Sequence, residues 1–371
     1  MDKIKVLYVS PVSFFKGGAE RSLFDLLSNE KISPYLAVPA EGELAVKARA
    51  MGIPVTVVTL GSVEKIRRPF TFSSAVLAMS DAWKAGRQLR AFCAENSIGI
   101  LHTNGLKAHS VAALARLGSP LKVVMHFRDI AYTWQEKLVW RLQTLLAARA
   151  VFVSGACCPF PSLPKNGRVI PNGVDPKPPV ELKVADTVRI GFIGRIHPHK
   201  GLHTLLDWVK LAHDRGTPVR LIVRGTFSTE LPGYESEIKS KVEALDLNDI
   251  VEFQGFINDP NGVYKDLDVV CAPAQAPEPF ARTILEPMNM GLPVIATPTG
   301  GTTEMVIHNV TGFLVQAADD FCAAVSKIHL DTAGTVKVAE EARNHVRTHF
   351  SKERLHSSVH SLYSELTANA A

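Results

Sequence analysis

The sequence predicts an α/β protein of two Rossmann-like domains, each a parallel sheet covered by helices, facing each other across a cleft. Three observations predict it. Short β-branched runs alternate with longer amphipathic ones, the pattern of parallel βαβ units. The chain has 371 residues, long for one hydrophobic core and ample for two. Between two such series, the stretch Pro171–Asp186 carries four prolines and little apolar pattern, as a linker would.

In the first series, Val6–Val9, Tyr35–Val38, Val55–Val58, Ile98–His102, Val123–His126 and Ala150–Val153 read as buried strands. Arg21–Leu27, Leu44–Met51, Ala75–Glu95, Ala108–Leu117 and Gln135–Ala147 carry helical periodicity between them. Cys157–Pro164, rich in proline, reads as a loop. In the second series the strands are Arg189–Ile193, Val219–Val223, Ile250–Phe253, Asp268–Ala272, Val294–Ala296 and Phe313–Val315. Gly201–Ala212, Glu235–Leu245, Arg282–Met290 and Asp320–Ile328 are its helices, and Val336–Leu366 is one further helical stretch. The expected division is an N-terminal domain at 1–170, a linker at 171–187, a C-terminal domain at 188–350 and a helix at 351–371 that can pack back on the first domain.

Hydrophobic residues make up 46% of the chain and charged residues 21%, as in a folded globular protein. A formal charge of +5, with the basic residues interleaved among 36 acids, gives no case for nucleic acid. Five cysteines without a Cys-x-x-Cys pair read as reduced thiols. The apolar run after Lys3 has the length of a strand and not of a signal peptide. No apolar stretch reaches the roughly 20 residues of a bilayer span. The expected location is the cytoplasm.

Chemistry concentrates in four stretches. Glu278 and Glu286 are separated by seven residues, Glu278 on a loop flanked by Pro277 and Pro279, and Glu286 early in the next helix. The free N–H groups at that helix N-terminus suit a diphosphate. Taken alone, the pair reads equally well as two solvated acids. Gly194-Arg195 and Lys200-Gly201 follow a strand and open a helix, offering a forked donor and a point charge beside glycines that admit a phosphate. Taken alone, these too read equally well as a basic turn. Lys16-Gly17-Gly18-Ala19-Glu20-Arg21 and Gly300-Gly301-Thr302-Thr303-Glu304 are further strand-to-helix turns; the first matches neither a dinucleotide fingerprint nor a P-loop. His197 and His199 have no carboxylate or cysteine at ligand spacing, which argues against metal.

In this order these pieces resemble the family 4 retaining glycosyltransferases of the GT-B fold along nearly the whole chain. The resemblance rests on Gly17-Gly18-Ala19-Glu20, His126-Phe127-Arg128-Asp129, Asn172-Gly173-Val174-Asp175, Gly194-Arg195 with Lys200-Gly201, the glutamate pair, and Gly300-Gly301 with Glu304 and Gly312. It implies a metal-independent, cofactor-free enzyme that moves a sugar from a UDP- or GDP-sugar to a hydroxyl of a glycan or lipid-linked acceptor, in bacterial-type polysaccharide or glycoconjugate assembly. By the same resemblance Arg195 and Lys200 would bind the diphosphate, Glu286 the ribose hydroxyls and Glu278 the sugar hydroxyls. The backbone of Phe280, Ala281, Arg282 and Thr283 would lie against sugar and phosphates. His126 would face the sugar, Gly17 and Gly18 would let a loop close over the phosphates, and Gly301 would present N–H groups to them.

The sequence departs from that pattern at Ala281, where the family has glycine, at Arg224-Gly225-Thr226, and at Thr303, where proline is frequent. Asp266-Leu267-Asp268 matches the Asp-x-Asp metal pattern of another transferase fold, but opens a buried strand. Basic and aromatic residues between Val63 and Leu101 read as a surface helix packed on the sheet, or as a face resting on the anionic inner surface of the plasma membrane. Rival readings are a sugar-nucleotide epimerase or phosphorylase on the same plan, a non-catalytic ligand-binding protein, and a dehydrogenase. The last lacks its Gly-x-Gly-x-x-Gly.

Overall fold

The structure, a computed structural model, describes residues 3–15, 17–65, 72–182, 186–260 and 262–368; side chains at 65–78 are outside that description. The chain forms two compact units, residues 1–173 with 352–371, and residues 174–351.

The first unit runs β1 (Ile4–Val9), α1 (Gly18–Leu27), β2 (Ile32–Val38), α2 (Glu43–Ala50), β3 (Val55–Val57), α3 (Phe72–Glu95), β4 (Ile100–Asn104), α4 (Leu106–Arg116), β5 (Lys122–Phe127), α5 (Trp134–Leu146), β6 (Arg149–Phe152) and β7 (Gly167–Val169). The second runs β8 (Val188–Ile193), α6 (Leu202–Asp214), β9 (Val219–Arg224), α7 (Tyr234–Ala244), β10 (Val251–Gly255), β11 (Val269–Ala272), α8 (Arg282–Asn289), β12 (Val294–Ala296), α9 (Thr302–Met305), β13 (Phe313–Leu314), α10 (Ala318–Leu330) and α11 (Thr332–His349). The last helix, α12 (Lys352–Ala368), belongs to the first unit.

Both sheets are parallel, with orders β3-β2-β1-β4-β5-β6-β7 and β10-β9-β8-β11-β12-β13. Each succession reverses beside its first strand, between β1 and β4 and between β8 and β11. In open α/β sheets, ligands bind outside the strand C-termini at such reversals. The candidate site residues end a strand or lie on the loop or helix after one, and Gly194–Lys200 and Glu278 follow the two strands at the second unit's reversal.

The structure corrects several boundaries. Residues expected to form a linker are tied to the second unit: Asn289 donates to Asp175 O (2.7 Å), Arg343 to Lys177 O (2.7 Å), and Val180 N to Met290 O (2.8 Å). The helical stretch Val336–Leu366 is two helices, interrupted at Phe350-Ser351, where Ser351 bridges to Val174, close to the expected start of a separate C-terminal helix at 351. Asp331 caps the first of them by accepting from Gly334 N (2.8 Å), so α11 starts earlier than its apolar pattern. Strand β7 escaped notice because three residues, two of them exposed, carry no periodicity. Strand β4 starts and ends two residues beyond its apolar run, which brings Asn104 into register with His126.

Helix α12 places Leu355, Val359, Leu362, Tyr363 and Leu366 on one stripe, and all five are buried among Val6, Tyr8, Leu26 and Leu36. The first unit's core therefore closes with the end of the chain. Leu362→Ala should cost the first unit about 2–5 kcal/mol, as large-to-small core changes do. Urea unfolding followed by a first-unit probe checks this; a cost of about 0.5 kcal/mol or less, typical of a surface change, would contradict the packing.

Candidate functional site

After β8 the chain turns at Gly194, whose N–H donates to Arg224 O (2.9 Å). It then forms a short 3-10 turn, Pro198–Lys200, begun by His197, whose Nδ1 accepts from His199 N (3.2 Å). Gly201 ends that turn at φ +78°, and a Cβ there would lie 1.9 Å from Pro273 O. Only glycine allows this approach, which sets the Lys200 loop directly on the loop after β11. Gln275 N donates to His199 O across the same junction (2.8 Å).

The β11 loop is held from its other side as well. Gly300 has φ +56°, and a Cβ there would meet Glu278 O at 2.2 Å. Gly301 N donates to Glu278 O (2.7 Å), so the Glu278 main chain is held to the turn after β12. Gly301 thus gives its N–H to the protein, contrary to the expectation that it would offer it to a diphosphate. Between these braced loops Lys200 Nζ lies 2.8 Å from Glu278 Oε1, with the side chains 32% and 16% exposed. Arg195, further out, is 59% exposed and lies 3.8 Å from Glu230, a loose surface pair.

Helix α8 begins beside this pair. Ala281 precedes it with extended backbone (φ −77°, ψ 113°), and Thr283 is the nearest neighbour that a side chain on Gly194 would meet. An α-helix leaves its first N–H groups outside its own ladder, here at Arg282 and Thr283. Phe280 turns inward: it is buried, its ring 5.4 Å from that of Phe350. Glu286 is fixed at both oxygens: Arg282 Nε donates to Oε1 and Tyr264 OH to Oε2, each at 2.9 Å. Tyr264 had no signal in the sequence, since it lies on a short turn 22 residues upstream.

Two ambiguous features resolve as structural. Asp268, fully buried, takes Arg189 on both oxygens (3.0 and 2.9 Å) and also its backbone N–H (2.7 Å), which accounts for the Asp-x-Asp match. Arg224 is buried and donates to Gln254 Oε1 and to the carbonyls of Val263 and Lys265 (2.7–2.9 Å). Its charge braces the β9–β10 edge.

In the first unit, His126 ends β5 in a buried polar chain. Tyr8 OH meets Tyr363 OH (2.9 Å), Tyr363 OH meets His102 Nδ1 (2.6 Å), and His102 Nε2 meets His126 Nδ1 (3.2 Å). Arg128 Nη2 also reaches His126 Nδ1 (3.3 Å), and Arg128 holds Asn104 and Asn172 as well. A guanidinium can only donate, so His126 Nδ1 accepts and the proton sits on Nε2. His102 must then donate from Nε2 and accept from Tyr363, which accepts from Tyr8. The chain is polarised end to end, and His126 Nε2 is a buried donor without a hydrogen-bond partner among the described residues. Burial holds His102 and His126 well below the usual histidine range, and the Arg128 charge pushes the same way. His102 and Tyr363 were missed; the available signal for His102 was a polar residue ending an apolar strand, and for Tyr363 there was none. Gly17 N donates to Glu20 Oε2 (2.6 Å), and Gly18 opens α1. Lys16 is outside the described residues.

Residues 175–345 match the family model described as Glycosyl transferases group 1. The capsular polysaccharide biosynthesis glycosyltransferase CapM of Staphylococcus aureus is 28% identical over 48% of this chain and 46% of its own length. The chain thus spans about half the length of the first curated relatives it matches. The phosphatidyl-myo-inositol mannosyltransferase of Mycobacterium leprae is 25% identical over 77% of both chains. Among solved structures, Anabaena Alr3699/HepE in complex with UDP superposes with a TM-score of 0.82 at 24% identity, covering 98% of this chain and all of that one. At that identity the likeness establishes the fold, two Rossmann-like units of the GT-B type.

The buried histidines make stability depend on pH. His109, bonded to Thr103 Oγ1 (2.6 Å), is pushed down to about 3 by burial, and His102 and His126 are depressed too. Their folded pKa values lie below the unfolded one, so the unfolded state binds more protons in between. Stability is full above about pH 6.5 and falls as pH drops, by up to about 1.4 kcal/mol per pH unit for each histidine. Urea unfolding of the first unit should show a lower midpoint at pH 5 than at pH 7. Equal midpoints would contradict neutral burial.

Proposed function

From the match of residues 175–345 to the group 1 glycosyl transferase model, we propose that the protein is a retaining, metal-independent glycosyltransferase using a nucleotide-diphosphate sugar. Its acceptor is a hydroxyl of a glycan or lipid-linked molecule in polysaccharide or glycoconjugate assembly, as the names of relatives such as CapM suggest. A UDP-sugar is the first donor to try, because HepE is described with UDP and with UDP-glucose; a GDP-sugar is the second.

The observation that carries this reading is the Lys200–Glu278 pair at the reversal of the second sheet. The two charges neutralise each other. An entering diphosphate competes for Lys200 and gains Arg195 and the first N–H groups of α8, while Glu278 turns to sugar hydroxyls. Glu286, oriented by Arg282 and Tyr264, is the acceptor for ribose hydroxyls. In the first unit, His126 Nε2–H is a donor left for a ligand, in line with its missing acceptor among the described residues.

As the glycosidic bond breaks, the sugar becomes oxocarbenium-like and the nucleotide diphosphate gains negative charge. Cations fixed in advance stabilise that charge more in the transition state than in the ground state. A carboxylate engaged with the sugar's hydroxyls is a weak nucleophile, which favours same-face substitution: the acceptor oxygen attacks, and the leaving phosphate oxygen takes its proton.

Peripheral membrane contact remains part of this reading. No helix among the described residues is long and apolar enough to cross a membrane. In the segment 63–101, Lys65, Arg67, Arg68, Phe70 and Phe72 are outside the description of side chains or of structure altogether. Trp83 is exposed there, with the Arg87 guanidinium 4.9 Å from its ring.

Lys200→Ala and Arg195→Ala should each lower kcat by about 10²–10³, as removal of one transition-state donor does. Steady-state kinetics with the matched donor, beside thermal melts to verify folding, provide the check. Near-normal turnover in both variants would reject the assignment.

A further inference from the structure

Helix α5 is packed with its polarity inverted. Glu136, Trp140, Gln143 and Thr144 face inward, three of them polar. Outward, Trp134 is 71% exposed, Leu138 49%, Leu142 53%, Leu145 67% and Leu146 49%. Trp134, Leu138, Leu142 and Leu145 follow the i, i+4, i+8, i+11 spacing of a single helical face. An ordinary surface helix buries such a stripe. The inward face is held by specific bonds, so the orientation is fixed: Gln143 Nε2 donates to Ser110 Oγ (3.0 Å) and to Leu106 O (3.3 Å), and Glu136 accepts from the N–H groups of Tyr132 and Thr133 (2.9 and 3.1 Å). A contiguous exposed apolar stripe of this kind marks an interaction surface.

The charge around it is one-sided. From Ile130 to Val174 there are five basic residues and one acid, the buried Glu136. Arg149 and Arg168 share Glu365 (3.2 and 3.7 Å). Lys137 and Arg141 are exposed along one edge of the stripe. Arg116 donates to Leu146 O at the helix end (2.6 Å), and Asn166, next to Lys165, donates to Thr144 O there (2.8 Å). Leucines and a tryptophan flanked by lysine and arginine fit the boundary between acyl chains and anionic headgroups. A second copy of the chain fits less well, since a two-fold contact would set this basic edge against itself.

We propose that the outward face of α5, Trp134, Leu138, Leu142 and Leu145 with Lys137 and Arg141, docks the protein on a membrane surface bearing anionic lipid headgroups. The helix lies in the plane of that surface, its apolar stripe in the acyl boundary and its basic edge among the headgroups. This surface is distinct from the segment 63–101 and deepens the reading of a lipid-linked acceptor by bringing the first unit to the phase where such a molecule resides. It is tested without turnover: vesicle binding by an inactive protein would overturn the reaction and leave the docking, and turnover of a soluble acceptor without vesicle binding would do the reverse.

The experiment is co-sedimentation of the full chain with vesicles of phosphatidylcholine plus phosphatidylglycerol, and of phosphatidylcholine alone, at low and high salt. The wild type should pellet with the anionic vesicles at low salt, less with the neutral ones, and less at high salt. The triple variant Leu138→Gln, Leu142→Gln, Leu145→Gln should lose at least about tenfold in partitioning. Because exposed side chains change, it should melt like the wild type; if it does not fold, Lys137→Glu with Lys165→Glu reports instead, by abolishing the preference for anionic vesicles. A wild type left in the supernatant at low salt would overturn the proposal. So would a folded triple variant that pellets like the wild type, or a dimer in sedimentation velocity that the triple variant splits without any vesicle binding.

Discussion

Lys200 and Glu278 stand 2.8 Å apart, both largely shielded from solvent, on loops that leave different strands of one sheet. Such a pair holds its geometry only if the loops beneath it do. Here two glycines at positive φ allow contacts that any side chain would block, Gly201 against Pro273 O and Gly300 against Glu278 O. The loop after β11 is thereby caught between its neighbours on both sides. Removing either charge would leave the other uncompensated in a partly desolvated place. An anionic ligand with several oxygens can replace the glutamate at Lys200, and the proposed chemistry depends on that exchange. Glu286 and Arg195 are arranged around it: one is tethered to Arg282 and Tyr264, the other is exposed and loosely paired.

The first unit solves a different problem, that of keeping polar side chains inside a core. A run of Tyr8, Tyr363, His102 and His126 satisfies itself by passing hydrogen bonds in one direction, which Arg128 sets by being unable to accept. In a low-dielectric interior such a chain is valuable when complete and costly when broken. Its completeness depends on α12, which arrives from the far end of the sequence. The helix that closes the core therefore also completes the hydrogen bonding behind a candidate site residue.

Much of this was legible in the sequence. The alternation of strands and helices gave both sheets, because parallel strands buried on two faces read as continuous apolar runs. Glycines, prolines and paired charges marked the loops at the second sheet's reversal, since those residue types are hard to place elsewhere. Illegible were the features that depend on distant partners. Tyr264 and Tyr363 look like ordinary aromatics until Glu286 and His102 are beside them. Gly301 looked like a ligand-facing donor, and its N–H proved to be used by Glu278. Periodicity marked α5 as a helix but did not say which side faces inward, which depends on partners such as Ser110 for Gln143.

The central claim is that Lys200 and its neighbours recognise a diphosphate attached to a nucleoside. Titration calorimetry of the full chain with UDP and GDP, against UMP and GMP, tests it directly. The account predicts that one diphosphate binds at least about tenfold more tightly than its monophosphate, a margin of about 1.4 kcal/mol, and that Lys200→Ala abolishes the margin. Binding of none of the four, or a margin undiminished in the variant, would contradict it.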